Sequence, residues 1–118
     1  MDGRVFRLRE QLLKNLQNHW TVSEMAETAG LSLPHFQRLF KTHTGLSPIT
    51  FLRNLRLEKA CELLETTFYR IQQIGLEIGM PDDSHFTRDF KKKYGITPTE
   101  YRQQHWNKIQ VESENGRK

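Results

Sequence analysis

The chain has 118 residues, a formal net charge of +4 and 36% apolar residues, with a mean hydropathy of -0.73; this suits one modest domain, or two half-size units, with much exposed surface. No apolar run approaches the roughly 20 residues of a membrane span, and Met1-Asp2-Gly3-Arg4 leads into no signal-peptide apolar region, so a bilayer segment is excluded and secretion is not expected. The single cysteine, Cys61, excludes an intramolecular disulfide and fits a reducing cytoplasm, while a pI of about 9.4 favours a polyanionic partner.

In chain order, Val5, Leu8, Leu12 and Leu16 step by three and four, which predicts an amphipathic helix ending near Asn18-His19-Trp20. Thr21-Val22-Ser23-Glu24 reads as a capping box opening a short second helix, with Met25, Ala26 and Ala29 on its buried face. Gly30 ends that helix, because glycine takes a positive φ at a C-terminal turn without penalty. Leu31 plugs the turn and Ser32 caps a third helix, which buries Phe36, Leu39, Phe40 and His43. The opposite stripe of this helix carries Pro34, Gln37, Arg38 and Lys41, and Gly45 stops it. A short helix, a turn containing glycine and a second helix make a helix-turn-helix. Ser47-Pro48 opens a longer helix with Phe51, Leu52, Leu55, Ala60, Leu63 and Leu64, running to about Glu65. At the helical rise it spans about 27 Å.

The pattern then returns. Ile71, Ile74 and Ile78 predict a short helix ending at Gly79, with Met80 in the place of Leu31 and a cap at Asp82 or Asp83. The next helix buries Phe86, Phe90 and Tyr94 and exposes Ser84, Thr87, Arg88 and Lys91, with Lys92 beside them. Gly95 stops it, and Thr97-Pro98-Thr99-Glu100 is a second capping box opening a last helix through Tyr101 towards Trp106. Seven positions match at an offset of 50 residues: His35 and His85, Phe36 and Phe86, Arg38 and Arg88, Phe40 and Phe90, Lys41 and Lys91, Gly45 and Gly95, Pro48 and Pro98. One helical unit is therefore used twice. The expected organisation is all-α with about seven helices: a first helix-turn-helix over 1–46, a linker helix over 47–65, a second helix-turn-helix over 66–106 and a flexible tail over 107–118.

A basic helix on a compact helical support suits the major groove of B-form DNA, which is wide enough to admit an α-helix. Arginine can bond bidentately to guanine, glutamine to adenine, and a threonine methyl can touch thymine, while Lys41, Lys91 and Lys92 are placed for phosphates. Two such helices at the ends of a spacer of about 27 Å could reach successive grooves, because a helical turn is about 34 Å. A monomer could then read an asymmetric site. The four phenylalanines lie at buried-face spacing and read as core. Cys61 reads as a small packed hydrophobe. The five histidines lack the partner spacing of a metal site. There is no Gly-rich phosphate loop, no paired carboxylates and no nucleophile with a base, so neither an enzyme nor a cofactor is expected.

These residues resemble the DNA-binding domain of the AraC/XylS class of bacterial transcription regulators. The likeness rests on Ala29-Gly30-Leu31-Ser32 with His35 to Phe40, on Phe51-Leu52, Arg56-Leu57 and Ala60 to Leu64, and on Ile74 to Gly79, Phe86 to Phe90, Tyr94-Gly95 and Thr97 to Arg102. It covers about residues 5 to 106. The resemblance implies a seven-helix fold, control of transcription (most often activation, with contacts to RNA polymerase) and a cytoplasmic, nucleoid-associated location. Carried over by position, it implies base-facing roles for Pro34, Gln37 and Arg38, and for Asp83, Ser84, Thr87 and Arg88. Three departures stand out. Pro34 offers only apolar contact, Asp82 and Asp83 put acid near the groove, and Gly75 stands where the family usually has alanine. The acidic caps motivate a competing reading, in which the second unit mainly docks a protein such as polymerase.

Overall fold

The computed structural model describes residues 2–115, the side chains of 113–115 excepted. Among the described residues there are seven helices and no strand: α1 (Gly3–Lys14), α2 (Val22–Ala29), α3 (Leu33–Thr44), α4 (Pro48–Thr66), α5 (Ile71–Glu77), α6 (Asp83–Tyr94) and α7 (Pro98–Asn115). The pairs α2/α3 and α5/α6 are the two helix-turn-helix units that the repeat predicted, and α4 runs unbroken between them. The chain separates into two compact units whose boundary falls inside α4, one ending at Arg56 and the other beginning at Leu57.

In the first unit, Val5, Leu8, Leu12 and Leu16 pack with Met25, Ala26, Phe36, Phe40, Leu52 and Leu55. The Phe40 ring lies 5.4 Å from that of Phe36 and 5.0 Å, edge-on, from that of Phe51. Burying each such side chain contributes about 1.5–3 kcal/mol, which outweighs any helix propensity involved. α1 stops at Lys14, earlier than its apolar period suggests: Asn15 N–H turns to the Leu12 carbonyl, and the Asn15 side-chain amide donates to the Gln11 carbonyl that the next helical N–H would use. Trp20 Nε1–H donates to the Asn15 carbonyl at 2.9 Å, and the Arg56 guanidinium donates to those of Leu16 and Asn18. Three other local expectations also change. The Glu24 carboxylate accepts from the Thr21 hydroxyl rather than from its backbone N–H, although Thr21 does cap the Glu24 N–H at 3.1 Å. Ser32 occupies the cap position of α3 without a capping bond from its side chain. Pro34, in the first turn, removes one of the donors a cap serine would use. His43 is exposed, not buried, because the face of α3 closed by Phe36 and Phe40 needs no further member.

In the second unit, Leu57, Ala60 and Leu64 pack with Ile74, Ile78, Met80, Phe86 and Phe90. Phe90 meets Phe86 and Tyr101 edge-on, at 6.0 and 5.6 Å. Here the capping box is complete. Thr97 N–H donates to Glu100 at 3.0 Å and Glu100 N–H to the Thr97 hydroxyl at 3.2 Å. These bonds hold the Glu100 carboxyl below its ordinary range, so the box stabilises α7 at neutral pH and is lost as the pH falls through that lowered value. α7 continues to Asn115, well past the expected end near Trp106. The chain contains no glycine or proline between Pro98 and Gly116, so nothing breaks the polar run. The tail expected over 107–118 is thus helical as far as Asn115, and 116–118 lie outside the described residues.

Arg102 closes the end of α4. Its guanidinium donates to the carbonyls of Leu64, Thr67 and Tyr69, at 3.2, 3.2 and 2.6 Å, and it stacks over Trp106 at 5.4 Å. Arg102→Ala removes three charge-assisted bonds at a partly hydrated site, and the expected cost is about 2 kcal/mol. Urea denaturation should show a lower midpoint with an unchanged slope. Arg102→Lys should recover little of the loss, because an ammonium cannot fork to three carbonyls.

Candidate nucleic-acid interface

Each helix-turn-helix is closed by the same backbone device. Gly30 and Gly79 take positive φ, at 73° and 82°. Behind them Leu31 N–H donates to the Ala26 carbonyl at 3.0 Å, and Met80 N–H to the Gly75 carbonyl at 2.8 Å. This six-to-one closure reverses the chain and starts the next helix. The second turn is one residue longer, with Met80-Pro81 between Gly79 and the Asp82 cap, where the first has Leu31 alone before Ser32.

On α3, Phe36 and Phe40 anchor the buried face, and Pro34, Gln37, Arg38 and Lys41 are all exposed. Their spacing of three and four places them on one stripe of the helix. On α6, Phe86 and Phe90 anchor the buried face, and Asp83, Ser84, Arg88, Lys91 and Lys92 are exposed while Thr87 is half-buried. Among the described residues, no carboxylate lies within ion-pair distance of Arg38, Lys41, Arg88 or Lys91. Both stripes thus present unneutralised cationic donors to solvent. Asp82 is the α6 cap, its carboxylate accepting from His85 N–H at 2.9 Å. Asp82→Ala should lower stability by about 1 kcal/mol, and Asp82→Ser by much less, as read from thermal midpoints.

The repeat is not perfect. His85 Nε2 lies 3.0 Å from Asp89 Oδ2, an i,i+4 contact for which the first unit has no counterpart, since Leu39 stands there. The spacing made this pair visible in the sequence, but the matched positions drew the reading elsewhere. Cys61 is half-buried against the hydroxyls of Tyr94 and Tyr101, and burial pushes its thiol up, away from a reactive thiolate. Tyr101 also donates to Glu65 at 3.1 Å, so this cluster is a packed polar seam of the second unit. Sequence reasoning missed a cleft in the first unit, where Arg4 and Arg7 of α1 face Thr28, Ala29 and Gly30. No helix is long and apolar enough to cross a membrane among the described residues.

Known proteins share this arrangement. A family profile described as a helix-turn-helix domain matches residues 25–104. The lactose operon transcription activator of Staphylococcus xylosus is 34% identical over 88 residues, which is 75% of this chain and 32% of that protein. The solved structure of a transcriptional regulator from Chromobacterium violaceum, described as having an AraC-type DNA-binding domain, is 30% identical with a TM-score of 0.81, covering 86% of this chain and 91% of that one. The DNA-binding domain of AdpA, a global transcriptional factor solved in complex with a target DNA, is 25% identical with a TM-score of 0.83, covering 92% and 96%. The chain spans about a third of the length of the curated relatives it matches. Its kin are transcription factors rather than enzymes. Two helix-turn-helix units on seven helices, matched by both sequence and structure, place this chain in the AraC/XylS family of transcriptional regulators, as a DNA-binding helix-turn-helix domain.

Proposed function

We propose that α3 and α6 are both recognition helices, and that they enter successive major grooves of one DNA duplex so that a single chain reads an asymmetric site. The observation that carries this reading is the recurrence of an exposed stripe of polar and cationic residues, Gln37-Arg38-Lys41 and Thr87-Arg88-Lys91, opposite a buried phenylalanine pair on equivalent helices. In this reading Arg38 and Arg88 bond guanine through O6 and N7, and Gln37 bonds adenine. Pro34 and the Thr87 methyl touch apolar base edges, Ser84 donates, and Asp83 accepts from a cytosine amino group. Lys41, Lys91 and Lys92 hold phosphates. Because the Asp82 carboxylate is engaged in capping, its acidity needs no protein partner to explain it.

The regulatory effect is activation, as the name of the Staphylococcus xylosus relative suggests, with RNA polymerase as the protein partner. Selection of bound duplexes from a random pool tests the reading directly. The retained sites should show two conserved clusters about one helical turn apart. Binding to such a site should weaken with salt at a slope of about -0.9 per phosphate contacted, hence about -2.7 for three lysine contacts. A salt response near zero would sink the proposal, and one cluster instead of two would confine it to a single helix.

A further inference from the structure

We infer that the cleft between the start of α1 and the end of α2 is a further binding site for a DNA backbone phosphate, with Arg7 as its principal ligand and Arg4 as a second cation. The inference rests on the proposed DNA-binding reading and extends it to residues outside both recognition helices. The cleft has a volume of about 290 Å³ and is lined by Arg4, Arg7, Thr28, Ala29 and Gly30. Its donors can be assigned one by one. The Thr28 hydroxyl donates to the Glu24 carbonyl at 2.9 Å, and Gly30 N–H to the carbonyls of Ala26 and Glu27, so neither is available to a ligand. Arg4 is paired with the Asp2 carboxylate through two nitrogens, Nε to Oδ1 at 3.3 Å and Nη2 to Oδ2 at 3.4 Å, so it is the lesser ligand. Arg7 donates from Nε to the Gly3 carbonyl at 3.3 Å, which steadies the guanidinium and leaves both terminal nitrogens without an acceptor among the described residues. An exposed guanidinium with two free nitrogens in a fork matches phosphate geometry.

The position of the cleft selects the polyanion. Gly30 begins the turn into α3, and Pro34, the first residue of the exposed stripe, lies four positions further on. Four residues span at most about 14 Å. The major groove is about 12 Å wide, so a helix lying in it has a row of phosphates within that radius. A cation at the Gly30 turn is therefore within reach of a strand bordering the groove. The charge of Arg7 is thus placed to fix the register of the first unit without reading a base.

The test uses the whole chain and a duplex retained from the random pool. Arg7→Gln should reduce the slope of log K against log salt by about 0.9, the value for one phosphate. Arg7→Lys should restore the slope, since it keeps the charge. Ethylation of single phosphates in the wild-type complex should reveal a blocking position beside the α3 contacts that no longer blocks with Arg7→Gln. An unchanged slope together with an unchanged ethylation pattern would overturn the site while leaving DNA binding intact. A wild-type chain that retains no duplex from the pool would instead overturn the reading on which the site rests. A wild-type ethylation map with no blocking position beside the α3 contacts overturns the site even if a variant folds poorly.

Discussion

Replacing Gly75 with alanine should destabilise the second unit by about 2 kcal/mol, although alanine is the better helix former by about 1 kcal/mol. The sequence alone suggests the opposite result, because a mid-helix glycine looks like a weakness. The structure reverses the sign. A Cβ built on Gly75 would lie 2.6 Å from the Met80 carbonyl oxygen and 3.5 Å from the Phe86 ring. The first of these is backbone and cannot swing away, and Met80 is further restrained because it precedes Pro81. Relief therefore requires α5 to move off the turn, weakening the Met80–Gly75 hydrogen bond and the packing of Phe86. The equivalent residue in the first unit, Ala26, is itself buried with its Cβ in place, so Ala26→Gly should cost about 1 kcal/mol, from lost propensity and a lost methyl. Urea melts of the two variants decide it. A Gly75→Ala protein more stable than the wild type would show that the turn can relax.

The second large effect is on DNA affinity. Arg38→Ala and Arg88→Ala should each weaken binding to the selected duplex by about 1–3 kcal/mol, roughly fivefold to 150-fold, and each should relax preference at one base-pair cluster only. Among the described residues neither side chain lies within ion-pair distance of a carboxylate, so its removal should leave the fold undisturbed. Circular dichroism should be unchanged. Lys41→Ala should behave differently, lowering affinity evenly across sequences and reducing the salt slope by about 0.9. Competition binding against mutated duplexes separates the two behaviours. If Arg88→Ala leaves every duplex bound as before while Arg38→Ala does not, α6 is not a base-reading helix.

The helices and the two exposed stripes were legible because their signals are local. A 3.6-residue period, glycine at the turns and threonine or aspartate at the caps each act within one or two turns of chain, and the 50-residue repeat states them twice. What escaped the reading was decided at long range. The segment after α1 is held by Arg56, some 40 residues away, which donates to the Leu16 carbonyl. Gly75 fits the tight turn, but the Met80 carbonyl oxygen that makes it necessary is visible only once the following turn is folded. The cationic cleft joins Arg4 and Arg7 to Thr28 and Gly30, and no spacing rule links residues on different helices. Ser32 and His43 were misread for a smaller reason: the pattern marks a position as cap or core, but Pro34 and the two phenylalanines had already settled those needs.

Each unit closes its own apolar cluster, one from Val5 to Leu55 and the other from Leu57 to Phe90. Cooperativity in such a protein is local to each cluster. Amide exchange should accordingly resolve two protection classes, with the ladder of α4 divided between them near Arg56 rather than melting as one rod. A regulator built this way could let one half breathe while the other keeps its grip on an operator.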